Sequence, residues 1–163
     1  MSASKKSRPR QRGAGVEGSP PFVGALLRLC WRRVRDRMHE AVRVAGFTDL
    51  QDPHLSVFSY PLPDGVRPSA LAHRIGMSRQ ATNYLITQME ALGYLERRAT
   101  EGGGERRLVH LTERGWQVGE VIFACLRDLQ AEWAEAIGPE RFDDFMDVLR
   151  RLAADEQQVL SSQ

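Results

Sequence analysis

The sequence predicts a mostly α-helical chain with one small β-hairpin, a winged helix-turn-helix carried between N- and C-terminal dimerisation helices. Three observations carry that reading. Two short helical patterns meet at Gly76-Met77-Ser78. A pair of apolar strands around Gly102-Gly103-Gly104 follows at once. Long segments with apolar residues at steps of three and four flank both.

Residues 1–20 hold Lys5, Lys6, Arg8, Arg10 and Arg12 against Glu17 alone, among Ser, Gly and Pro. Such a segment has too little apolar surface to offset the entropy of ordering it, so a disordered basic N-terminal arm is expected. Its charge suits sequence-independent contact with DNA and equally a solubilising tail. Residues 21–163 then form a single domain.

Pro20-Pro21 ends the arm, and Val23, Leu27, Cys30, Val34, Met38, Ala41 and Ala45 give a long helix that Gly46 stops. Phe22, Leu26, Leu29, Trp31 and Val42 broaden its apolar surface beyond one stripe. A surface that wide suggests that this helix packs against more than its own domain. Asp52 and Pro53 open a short helix running to about Tyr60, with Leu55, Val57 and Phe58 inward. Pro61-Leu62-Pro63-Asp64-Gly65 closes it.

The winged helix-turn-helix is expected over 53–112. Pro68 suits a first helical turn, since its missing N–H has no partner there, and Ala70, Leu71 and Ile75 supply the apolar side. Gly76 stops this helix and Ser78 caps the next, expected over 79–92. At 100° per residue, Ala81, Leu85, Ile86, Met89 and Leu92 share one half of the wheel. Arg79, Gln80, Asn83, Tyr84, Thr87 and Gln88 share the other. A solvated face ordinarily carries Lys and Glu pairs; amides, hydroxyls and one guanidinium are the groups that bond base edges. Tyr94, Leu95, Leu108, Val109 and Leu111 make the ribbon, with Arg97 and Arg98 on one arm and Arg106 and Arg107 on the other. Four arginines on so small a ribbon suit a phosphate backbone or a minor groove. Charges that merely guard an exposed strand edge are the plainer reading.

The run L-A-H-R-I-G-M-S-R-Q-A-T-N-Y-L-I-T-Q-M-E-A-L-G-Y-L-E-R-R, closed by H-L-T-E-R-G, resembles the MarR (multiple antibiotic resistance regulator) family of winged-helix transcription factors. The resemblance covers about 22–160 and is strongest over 67–115. It implies a homodimer whose recognition helices and wings bind a pseudo-palindromic operator in double-stranded DNA, commonly as a repressor released by a small ligand. One departure stands out: the family's wing-tip Asp-Arg-Arg falls here on Gly103, Gly104 and Glu105. The DNA-contacting residues expected on this basis are Ser78 and Thr82 near phosphates and Arg79, Gln80, Asn83, Tyr84 and Thr87 on bases. Arg98, Arg106 and Arg107 would hold the backbone or minor groove. The family's effector position, between the first helix and the DNA-binding lobe, would draw Trp31, His54, Phe58 and Tyr60 around a small aromatic ligand; all four suit a core equally.

Thr112 caps a helix over 113–137 with Val118, Ile122, Leu126, Leu129, Trp133 and Ile137 as its stripe. Gly138-Pro139 starts a last helix marked by Phe142, Phe145, Leu149 and Leu152. With 21–46, residues 113–160 are the expected dimerisation helices, mainly because the resemblance implies a dimer; outer helices that simply enlarge one core are the plainer reading. Residues 113–163 carry 11 acidic against 5 basic side chains, whereas 53–112 carry 7 basic against 5 acidic. Phosphate repels the acidic end, so it belongs away from DNA.

Other classes find little footing. His39, His54, His73 and His110 are scattered, with no triad or metal spacing, so no catalytic residue, metal or cofactor is expected. The glycine run lacks the Gly-Lys-Ser/Thr of a phosphate loop. Cys30 and Cys125 read as buried, inert thiols. No apolar run approaches a membrane span and no secretory signal opens the chain, so a cytoplasmic protein is expected. The competing function is a winged helix that binds protein instead of DNA.

Overall fold

A computed structural model describes residues 21–59, 62–99 and 107–161 of the 163-residue chain, with side-chain surroundings through 154. The basic arm, Tyr60, the glycine tip and Arg106 lie outside the described residues.

Helix α1, Val23–Val44, starts after extended Phe22 and runs for 22 residues. Only Met38 and Val42 are buried on it. Its N-terminal half leaves Phe22, Val23, Leu26, Leu27, Leu29 and Trp31 between 48% and 70% exposed. Among the described residues the apolar pattern of α1 is fully buried only toward its C-terminal end. Cys30, expected to be buried, is exposed there as well.

The short helix α2, Asp52–Leu55, is capped by Gln51 and not by Asp52. The Gln51 amide donates to His54 Nδ1 at 3.0 Å, which fastens the first turn. A 3-10 turn, Val57–Ser59, follows in place of a continued helix. Helix α3, Pro68–Arg74, begins on its proline. Gly76 then adopts φ +66°, a left-handed conformation that side chains avoid, and this turns the chain into α4, Arg79–Ala91. Ser78 Oγ accepts from the Ala81 amide at 3.1 Å, the capping bond its sequence position predicts.

Strands β1, Leu95–Ala99, and β2, Arg107–Leu111, pair antiparallel with Leu95 opposite Leu111 and Arg97 opposite Val109. Val66, just before α3, adds a third piece: it exchanges two backbone bonds with Val109, at 2.9 and 2.8 Å. The ribbon is therefore pinned at its base to the entry of α3. Helix α5, Glu113–Ile137, is capped by Thr112, whose Oγ1 accepts from the Gly115 amide at 3.1 Å. Helix α6, Pro139–Ser161, closes the chain.

One core joins these elements. Leu55, Val57, Phe58, Leu71, Leu85, Ile86, Met89, Tyr94, Val109, Val118 and Ile122 are all within 2% of full burial. Each such side chain contributes on the order of 1.5–3 kcal/mol relative to exposure. Helix α1 packs along α5, and α5 in turn carries α6. The α1–α5 joint is bound at its surface by Arg37, which donates to Glu132 through both terminal nitrogens, at 2.7 and 3.2 Å. The first turn of α5 comes unusually close to the end of α4. A Cβ on Gly115 would stand 2.3 Å from the Tyr94 carbonyl oxygen, so no larger residue fits there without displacing backbone.

Candidate nucleic-acid interface

Helix α4 presents two unlike faces. Thr82, Leu85, Ile86 and Met89 are buried against the core. Arg79, Gln80, Asn83, Tyr84 and Thr87 are exposed on the opposite side, Tyr84 by 67%. On this outer face the one internal side-chain bond is from Thr87 Oγ1 to the Asn83 carbonyl, at 3.0 Å. The Asn83 and Gln80 amides have no protein partner among the described residues, and Arg79 has no ion pair among them. The face is thus loaded with directional donors and acceptors that the fold itself does not use.

Thr82 requires a correction. It was expected beside a phosphate, but it is fully buried and its hydroxyl donates to the Ser78 carbonyl at 2.9 Å. Its angular position falls within the arc of Leu85, Ile86 and Met89; its residue type suggested the other side. Back-bonding to the carbonyl four residues earlier is how a helix accommodates a buried threonine. Ser78 remains exposed, and while its oxygen caps α4 its hydroxyl has no acceptor among the described residues.

The wing arginines separate into three environments. Arg97 turns inward and pairs with Glu90 of α4, bracing the ribbon against the recognition helix. Arg98 is exposed and bonded to Glu96, its strand neighbour but one, with Nε–Oε1 at 3.0 Å. Arg107 is exposed with no ion pair among the described residues. Arg67 and Arg74, at either end of α3, are likewise exposed and unpaired among the described residues. Sequence reasoning passed over both; their signal was basic side chains flanking the helix that precedes recognition.

Three of the four ligand candidates are described, and they are not brought together. Trp31 is exposed in a groove lined by α1 side chains alone: Ala25, Arg28, Leu29, Arg32 and Arg35. His54 is buried with Nδ1 committed to the Gln51 amide. Phe58 lies in the core with its ring edge-on to Tyr94, centres 6.3 Å apart. Tyr60 lies outside the described residues. A more apolar cavity, of about 470 Å³, sits elsewhere, between α1, the end of α5 and the start of α6. Trp133, Ile137, Phe142 and Phe145 line it.

A polar cluster not foreseen from the sequence lies behind α4. Arg114, in the first turn of α5, donates to the Leu92 carbonyl at 2.6 Å and to Asp49 Oδ2 at 2.9 Å. Its guanidinium lies 4.3 Å from the centre of the Tyr94 ring. Tyr94 donates its hydroxyl to Asp49 Oδ1 at 2.5 Å. Thr112 Oγ1 donates to the Gly93 carbonyl at 2.6 Å. Burial works to raise the Asp49 carboxyl, but the bonds from Tyr94 and Arg114 outweigh it and hold the pKa below the usual range. Burial, then the Asp49 charge, pushes the Tyr94 phenol up. Among the described residues no group of three His, Cys, Asp or Glu side chains gathers at metal-binding distance. No described helix is long and apolar enough to cross a membrane.

The MarR family model matches residues 49–116, the span from the Asp49 cluster through both strands. The fold is similar to a Mycobacterium tuberculosis MarR family protein in complex with salicylic acid. That pair is 22% identical at a TM-score of 0.60, over 83% of this chain and 98% of the other. It is similar to a MarR family transcriptional regulator from Rhodococcus sp. RHA1, 21% identical at 0.63, over 80% and 93%. It is similar too to wild-type Escherichia coli MarR in its apo form, 16% identical at 0.62, over 82% and 98%. At such identities these likenesses speak for the fold. No curated protein sequence matches the chain.

Proposed function

Through residues 49–116 the chain belongs to the MarR family, and from that premise we propose a homodimeric DNA-binding transcriptional regulator, a repressor seated on a pseudo-palindromic operator. The observation that carries this reading is the outer face of α4. Arg79, Gln80, Asn83, Tyr84 and Thr87 stand exposed, and the amide and guanidinium groups are left without protein partners among the described residues. Those groups match the donor and acceptor pattern of the major groove, where an amide pairs with adenine and a guanidinium with guanine. Ser78, Arg98, Arg106 and Arg107 then serve phosphates or a narrow minor groove, with Arg67 and Arg74 in support.

Assembly as a dimer is supported by the surfaces the chain leaves open. Phe22, Val23, Leu26 and Leu27 at the start of α1 and Val148 and Leu152 on α6 are between 48% and 70% exposed, large apolar side chains that a partner subunit would cover. Helix α1 carries six basic against two acidic side chains, and α6 carries six acidic against three basic. A second copy that lays its α6 against α1 matches both the apolar surface and the charge. Two-fold symmetry then sets the recognition helices about 34 Å apart, one turn of DNA. Release by a small aromatic acid belongs to the same proposal, supported by the salicylic acid bound to the mycobacterial relative.

Selection of bound sequences from random duplexes by the full-length protein tests the reading. It should enrich inverted half-sites about one helical turn apart, and added salicylate should weaken their binding. Light scattering should give a mass near twice 18.4 kDa. A monomer that enriches nothing would instead favour a protein-binding winged helix.

A further inference from the structure

Residues far apart in sequence converge where α4 ends. The last carbonyls of any α-helix lack partners within it. In α4 the carbonyls of Gln88, Glu90 and Met89 accept from the amides of Leu92, Gly93 and Tyr94, and the next two carbonyls, of Leu92 and Gly93, are bonded by Arg114 in the first turn of α5 and by its cap Thr112. The Thr112 amide also donates to the Tyr94 carbonyl at 3.1 Å. The turn that closes the recognition helix is therefore tied by side chains at the start of the helix that runs up toward the proposed subunit interface. Gly115 permits the approach, since a Cβ there would meet the Tyr94 carbonyl. Arg114 does more than tie this turn. It grips Asp49, in the segment between α1 and α2, over the buried Tyr94 ring that bonds the same carboxylate.

We propose that Arg114 is a positioning residue for DNA recognition. By joining the end of α4, the start of α5 and Asp49, it fixes the angle between recognition helix and α5, and with it the half-site spacing the protein accepts. The proposal rests on the DNA-binding reading above. Stability is not its main contribution: the Arg114 and Asp49 side chains are 44% and 35% exposed, and ion pairs so placed add little. Geometry is. A planar fork reaches a carbonyl and a carboxylate together, and a lysine, a single point charge, cannot hold both in one orientation.

The test uses full-length protein in a Cys30→Ser, Cys125→Ala background, spin-labelled at His73→Cys on α3 and Gln130→Cys on α5. Labelled chains are diluted with unlabelled ones so that distances are read within one chain. Arg114→Leu should broaden the distance distribution, and Arg114→Lys should broaden it less. Arg114→Leu should also lose about tenfold in discrimination between the selected operator and one with half-sites a base pair further apart, roughly the worth of one base contact. Affinity for nonspecific DNA should stay as it was. Asp49→Asn keeps an acceptor for Tyr94 and removes the charge that holds Arg114, so it gives the same answer if Arg114→Leu does not fold. Retained spacing discrimination, or an unchanged distance distribution, overturns the proposal alone. A wild-type protein that enriches no sequence overturns the DNA reading and this proposal with it.

Discussion

Thr82 and Asn83 are neighbours that serve opposite sides of one helix. The Thr82 hydroxyl is spent on the Ser78 carbonyl inside the core, whereas the Asn83 amide is exposed with no partner among the described residues. Thr82→Val should therefore change stability by no more than about 1 kcal/mol, because the Ser78 carbonyl keeps the Thr82 amide as donor. It should leave the selected DNA sequence unaltered; a shifted base preference would return Thr82 to the interface. Asn83→Ala should do the reverse. We expect a loss of ~1–3 kcal/mol at the cognate site, relaxed preference at one base pair per half-site, and an undisturbed melting temperature. An unchanged preference profile removes Asn83 from the reading set.

The elements were unequally legible. Helix-turn-helix, wing and long flanking helices could be read because each announces itself locally, through period, a stopping glycine or a capping hydroxyl. The joints between them could not. Asp49, Leu92 and Arg114 are unremarkable in their own segments and acquire a role only when α5 folds back onto α4. Thr82 misled for the opposite reason, a polar residue at an angular position that belongs to the core. Of the four wing arginines the sequence assigns Arg98, Arg106 and Arg107 to DNA, yet Arg98 is paired with Glu96, as Arg97 is with Glu90. In the proposed reading the wing's phosphate contacts then rest chiefly on Arg107 and on Arg106, which lies outside the described residues. The period-two alternation that the sequence predicts for this arm sets the two on opposite faces, so they are not expected to make the same contact. Arg106→Ala should lower the slope of log affinity against log salt by ~0.9, one phosphate's worth. Arg107→Ala should lower it less, and two unchanged slopes would take the wing off the DNA. The joints also predict an acid response. Asp49 and Glu132 titrate below their ordinary values, Asp49 because the Tyr94 and Arg114 bonds overcome burial and Glu132 because of Arg37. A depressed folded pKa gives stability that is present above the unfolded value and lost as pH falls through the folded one. The melting temperature should thus fall as pH drops below about 4, and Asp49→Asn with Glu132→Gln should flatten that fall. An equally steep fall in the double variant would dismiss both joints as its source.

At the scale of the whole molecule, the two ends of the chain have different tasks. The lobe around α3, α4 and the wing buries its own core, while α1 and α6 leave apolar side chains in the open. Deleting 139–163 should accordingly yield monomers or aggregates with weak operator binding, read by light scattering and gel shift. A soluble truncated dimer with full affinity would show that α6 is no part of the assembly. Between those two ends runs α5, 25 residues without a break. At 1.5 Å per residue it is a rod of about 37 Å, and a tilt of roughly 5° at one end swings the other by about 3 Å, close to the rise of one base pair. Such a rod works as a lever: a repacking too small to notice among the outer helices becomes, at the groove, a mismatch of one full step along the double helix.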